Sequence, residues 1–67
     1  MTQRLAIVVP AYNEADTLPA LQARLERVID ALDLEAGVLY VDDGSCDATW
    51  TTIEQLAVAD PRVSGLR

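Results

Sequence analysis

Two short apolar runs, Leu5-Ala6-Ile7-Val8-Val9 and Val38-Leu39-Tyr40-Val41, stand on either side of a segment whose apolar residues recur every three or four positions. That alternation constrains the fold more than any other feature. The first run is continuous, rich in β-branched residues and stopped by Pro10, which suits a strand covered on both faces and places it centrally in a parallel sheet. Between the runs, Leu18, Leu21, Leu25, Val28, Ile29 and Leu32 mark the buried stripe of a helix. Gln22, Arg24, Glu26, Arg27 and Asp30 are assigned to its solvent face. Asp16 or Thr17 can cap this helix and Pro19 is tolerated in its first turn. The pattern breaks at Asp33-Leu34-Glu35-Ala36-Gly37, where Gly37 is able to take the left-handed conformation that ends helices.

After the second run, Asp47 or Ser45 can cap a helix carrying Ala48, Trp50, Ile53, Leu56 and Ala57 on its apolar side and ending near Asp60-Pro61. Arg62 to Arg67 is a candidate third strand. The order strand, helix, strand, helix, candidate strand predicts an α/β fold: a parallel βαβα(β) Rossmann-like unit built from right-handed crossovers. Such a unit gathers the loops after its strands along one edge, where open α/β sheets bind ligands. Both unusual polar segments fall there: Ala11-Tyr12-Asn13-Glu14 after the first strand, and Asp42-Asp43-Gly44-Ser45 after the second.

Size and charge limit what this edge can do. A chain of 67 residues buries only about 60% of its unfolded surface, so the core is thin. The hydrophobic fraction of 51% argues against disorder, and no apolar run is long enough for a membrane span. Neither a span nor a secretory leader is evident, which makes the cytoplasm the expected compartment. Five Arg, no Lys and no His stand against eleven acids, a formal charge of -6 that disfavours nucleic acid as a partner. Without His, acid–base chemistry falls to carboxylates. A lone Cys46 excludes an intrachain disulfide and any multi-cysteine zinc site.

The glycine-rich phosphate loops G-x-G-x-x-G and G-x-x-x-x-G-K-[ST] are both absent. What remains is an acidic, aromatic edge suited to a base and ribose. A carboxylate accepts from the imide N–H of uracil or thymine, or from the N–H groups of guanine, whereas adenine presents a bare acceptor there. Tyr12 can stack on the ring and Glu14 can accept from ribose hydroxyls. A solvated turn is the plain alternative for Asp42-Asp43. A receiver-domain phospho-acceptor site, also built on paired acids, places its pair after the first strand and adds a Lys, neither of which is found here.

Val8-Val9-Pro10-Ala11-Tyr12-Asn13-Glu14, followed about thirty residues later by Val41-Asp42-Asp43-Gly44-Ser45-Cys46-Asp47-Ala48-Thr49, resembles the N-terminal segment of family 2 glycosyltransferases with the GT-A fold. The resemblance covers nearly the whole chain. Asp47-Ala48-Thr49-Trp50 also resembles the polyprenyl-phosphate sugar synthases of the dolichol-phosphate mannose synthase type. The resemblance implies transfer of a sugar from a UDP-, GDP- or dTDP-linked donor, with a divalent cation, Mg or Mn, on the diphosphate of the complete enzyme. It implies nucleotide-binding roles for Pro10, Ala11, Tyr12, Glu14, Asp42 and Asp43, and a turn or capping role for Asn13.

Family members carry their Asp-x-Asp metal motif and catalytic base further along, and neither occurs in these 67 residues. Residues 1–67 are therefore expected to form a single partial domain, the nucleotide-binding front of a glycosyltransferase, with no catalytic residue and no tightly held metal of its own. Alone it is expected to transfer no sugar, although the complete enzyme can be membrane-associated. With sheet edges and helix faces uncovered, the chain is expected to form a homo-oligomer. The competing expectation is a noncatalytic self-associating α/β module that binds no ligand.

Overall fold

The computed structural model describes residues 4–32 and 35–67. Strand β1 (Arg4–Ala11) leads through a turn into helix α1 (Leu18–Ala31), then β2 (Glu35–Asp42), α2 (Thr49–Ala59) and β3 (Val63–Leu66). The three strands form one parallel sheet in the order β1-β2-β3. This is the βαβαβ arrangement of a Rossmann-like unit, and the candidate third strand is formed, with Val38 opposite Val63 and Tyr40 opposite Gly65.

Alternate residues of the strands are buried beneath the helices. Ala11, Val38, Tyr40 and Val63 join Leu18 and Ile29 of α1 and Ile53 of α2 in one core, with Ile7, Val9, Leu25, Trp50 and Leu56 packed around it. The helices also touch each other, so both cover the same side of the sheet. The opposite side is bare: Val8 is 60% and Leu66 56% exposed. Residues of that parity sit in adjacent register, Val8 beside Leu39, Pro10 beside Val41, and Val41 in turn beside Leu66.

Several local expectations need correction. β1 is an edge strand and β2 is the central one. The first run looked doubly covered because it is apolar at every position, yet only one of its faces meets a helix. Its edge position also explains why Pro10 does not end the strand, which runs on to Ala11: a missing backbone donor is tolerated where a strand has a partner on one side only. Gly37 does not terminate a helix; it lies in β2 opposite Ala6. Asp33 and Leu34 of the same breaker segment fall outside the described residues.

The buried stripe of α1 also differs from the expected one. Leu18, Gln22 and Ile29 are buried and Leu25 half-buried, while Leu21, Val28 and Leu32 are exposed. Gln22 moves from the expected solvent face into the interior because its Oε1 accepts a 2.5 Å bond from the Tyr40 hydroxyl, itself fully buried. The Gln22 amide donates in turn to Glu26 at 3.3 Å. Burying an amide and a phenol is tolerable only when each finds a partner, and here each supplies the other.

Candidate functional site

The paired ends of β1 and β2 bring the two polar segments together. Ala11 and Asp42 are register partners, and one residue further the Asp43 amide donates to the Ala11 carbonyl at 3.2 Å. Tyr12 and Asp43 thus leave the sheet side by side. Tyr12 is 56% exposed, and Asp43 and Glu14 are exposed as well.

Asp42 occupies a different environment. It is 4% exposed, and its Oδ1 accepts the Ser45 amide at 3.0 Å, closing the turn that Gly44 allows with its φ of 77°. Among the described residues no buried side-chain oxygen lacks a partner. Oδ2, which takes no bond from them, therefore reaches solvent. The adjacent carboxylates are inequivalent: one is a recessed acceptor fixed by the turn, the other a free surface group.

Of the other expected site residues, Pro10 is exposed on the bare side of the sheet and Ala11 is buried, its carbonyl engaged by Asp43. Glu14 is tied down at three points. Its amide donates to Thr49 Oγ1 at 2.8 Å, its carbonyl accepts the amides of Thr17 and Leu18, and Oε2 accepts the Thr17 hydroxyl at 2.7 Å. Thr17 stands at the cap position of α1, but its hydroxyl donates back to Glu14 and does not accept from the helix.

Ala48 occupies the cap position of α2, and Asp47 one residue earlier accepts the Thr49 amide at 3.0 Å together with the Thr49 hydroxyl. That hydroxyl, followed by the backbone amides of Thr49, Ala15 and Asp47 itself, holds the Asp47 carboxyl below its usual range. Ser45 does not cap this helix; its hydroxyl accepts the Asn13 amide at 2.9 Å.

Two residues matter here that sequence reasoning undervalued. Asn13 has φ 50°, left-handed backbone that Asn adopts more readily than most side chains. Besides its amide, its Oδ1 takes part, accepting the Cys46 amide at 2.9 Å. Thr49 is completely buried between the loops. An Asn directly before Glu at a strand end was a usable signal for a turn, but nothing local marks Thr49 as the partner of Glu14.

No three His, Cys, Asp or Glu side chains converge as a cation site among the described residues. Asp42 and Asp43 do not fit one either, since the first is recessed and bonded to Ser45 and the second is exposed. Among the described residues, these loops present hydrogen-bond acceptors and one exposed aromatic ring.

Residues 6–67 match the family described as Glycosyl transferase family 2. The chain belongs to that family. The resemblance carried by the two motifs is thereby confirmed over nearly all of this glycosyltransferase sequence. Among curated proteins it is 38% identical over 60 residues to a polyprenol monophosphomannose synthase of Mycolicibacterium smegmatis, covering 90% of this chain and 21% of that protein. It is 33% identical over 60 residues to a prophage bactoprenol glucosyl transferase homolog of Escherichia coli, covering 90% and 20%. With an undecaprenyl-phosphate 4-deoxy-4-formamido-L-arabinose transferase of Pseudomonas fluorescens it shares 42% over 53 residues, covering 79% and 16%. This glycosyltransferase chain spans about a fifth of the length of the curated relatives it matches. None of its described helices is long and apolar enough to cross a membrane.

Proposed function

We propose that this chain is the nucleoside-recognition segment of a GT-A-type glycosyltransferase, and that it binds the base and ribose of a nucleotide-diphosphate sugar. The observation that carries the reading is the pairing of Asp43 with Ala11, which sets an exposed aromatic ring and two acidic side chains on neighbouring strand ends. Tyr12 offers a stacking face, Glu14 an acceptor for ribose, and Asp42 and Asp43 acceptors for the N–H edge of uracil, thymine or guanine. Pro10 and Ala11 shape the floor through backbone. The diphosphate and its Mg or Mn are held by residues outside this chain, and the chain alone transfers no sugar.

The three relatives are named for different sugars but share a polyprenol-type lipid in their names, which supports a polyprenyl-phosphate acceptor for the complete enzyme, working from the cytoplasm at a membrane. The bare sheet side supports a further element: two copies of this chain pair through it. Calorimetric titration with UDP, GDP and dTDP in Mg²⁺ or Mn²⁺ tests the binding. Saturable heat that disappears in Tyr12→Ala and in Asp43→Ala is expected. No heat with any of the three sinks the nucleotide reading and leaves the self-associating module without a ligand.

A further inference from the structure

Two loops that read one ligand must be held in a fixed relation, and here, beyond the backbone bond from Asp43 to Ala11, Asn13 and Thr49 make the bonds that join them. Asn13 reaches the second loop from both its backbone and its side chain. Its amide donates to Ser45 Oγ at 2.9 Å and its Oδ1 accepts the Cys46 amide at 2.9 Å, across 32 and 33 residues of sequence. The Thr49 hydroxyl works in both directions, accepting the Glu14 amide at 2.8 Å from the first loop and donating to Asp47 in the second. Thr49 is fully buried, so water cannot substitute for either bond without opening the loops.

We propose that Asn13 and Thr49 form a clasp that sets the distance between Tyr12 and Glu14 on one loop and Asp42 and Asp43 on the other, and thereby determines nucleotide affinity. Neither contacts the ligand; both are positioning residues. The inference rests on the nucleoside-binding reading above. Asn13 lies between Tyr12 and Glu14 in sequence, so a change in its left-handed backbone re-aims both neighbours. Ser45, which receives the Asn13 amide, is itself bonded through its own amide to Asp42. The clasp therefore runs from the stacking residue to the recessed acceptor without a gap.

The test uses the whole chain and two readouts. Nucleotide affinity for UDP, GDP and dTDP is measured calorimetrically, and amide hydrogen exchange is followed by NMR at Asn13, Glu14 and Cys46, with Tyr40 as a core reference. Thr49→Val keeps the shape and removes the hydroxyl; Thr49→Ser restores it. Asn13→Gly keeps the backbone conformation and removes Oδ1; Asn13→Asp restores an acceptor. Ser45→Ala removes an acceptor on the half-exposed outer side of the loop, so it reports on the clasp even if Thr49→Val disturbs folding.

Each deleting variant is expected to weaken binding about tenfold, the loss of one well-made hydrogen bond. Exchange is expected to quicken at Glu14 in Thr49→Val, at Cys46 in Asn13→Gly and at Asn13 in Ser45→Ala, with Tyr40 unchanged. Thr49→Ser and Asn13→Asp are expected to recover affinity. Wild-type binding that survives intact in Thr49→Val, Asn13→Gly and Ser45→Ala overturns the clasp alone. Absence of binding by the wild type overturns the nucleotide reading and, with it, the role given to the clasp.

Discussion

The Tyr40 hydroxyl lies 2.5 Å from Gln22 Oε1 in the interior between sheet and helix, two polar groups satisfied by each other. Removing one of them strands the other. Tyr40→Phe is expected to destabilise the fold by about 1–3 kcal/mol, the cost of leaving a buried acceptor without its donor. The double variant Tyr40→Phe with Gln22→Leu is expected to recover most of that loss. Urea unfolding of the four proteins of this cycle checks the prediction; equal stability of Tyr40→Phe and wild type would show that the bond contributes nothing.

Gly65 leaves no room for a Cβ unless its neighbours shift. A Cβ built there falls 2.6 Å from Ile53 Cγ2 and 3.2 and 3.3 Å from two atoms of the Trp50 ring. Ile53 is fully buried, so it has little room to move, and α2 must shift away from β3. Gly65→Ala is expected to cost about 1–3 kcal/mol, the usual penalty for overpacking. Since Trp50 is the single tryptophan, its emission should report the altered contact directly, and an unchanged urea midpoint with unchanged emission would refute the prediction.

Arg62 ties three elements together at the amino end of the sheet. Its guanidinium bonds Asp60 at the end of α2 and reaches Asp30 in the last turn of α1 at 2.9 Å. Side-chain and backbone bonds from Arg62 hold the Asp60 carboxyl below its usual range. A carboxyl depressed in the folded state adds stability above the unfolded value of about 3.9 and loses it as pH falls through the lower folded value. Asp47 acts in the same direction. Stability is therefore expected to fall as pH drops below about 4, and Asp60→Asn should flatten that limb. Arg62→Ala is expected to lower the thermal midpoint at neutral pH, by less than loss of a fully buried pair would, because the site is partly solvated. Thermal unfolding between pH 2 and 7 decides the matter.

The element order was legible because each segment declares its period: continuous apolar runs for the strands, three- and four-residue steps for the helices. That the two polar loops meet at one edge followed from topology, since parallel strands send their following loops to the same edge. What stayed hidden were choices made by distant partners. The residues of α1 fit two overlapping stripes, and Leu21, Val28 and Leu32 look as suitable for burial as Leu18, Leu25 and Ile29. The Tyr40 hydroxyl, eighteen residues away, draws Gln22 inward and rotates the stripe. Likewise, an apolar run shows that β1 prefers cover but not that cover is present, and Thr49 finds its partner only in the Glu14 amide of the neighbouring loop.

The bare side of the sheet sets the last prediction. Val8 and Leu66 are each more than half exposed, with Leu39 and Val41 between them in register and only partly shielded. Most of the acidic residues that give the chain its charge of -6 lie in helices and loops, so this patch is where two copies approach with least repulsion. A second copy covering it removes apolar surface from water at about 25 cal/mol per Å². Sedimentation at micromolar concentration is expected to give a species heavier than the 7.3 kDa monomer. Val8→Glu, which adds a charge on the β1 side of the patch and alters no described hydrogen bond, is expected to return it to monomer with unchanged circular dichroism. A wild-type chain that sediments as a monomer would rule the association out.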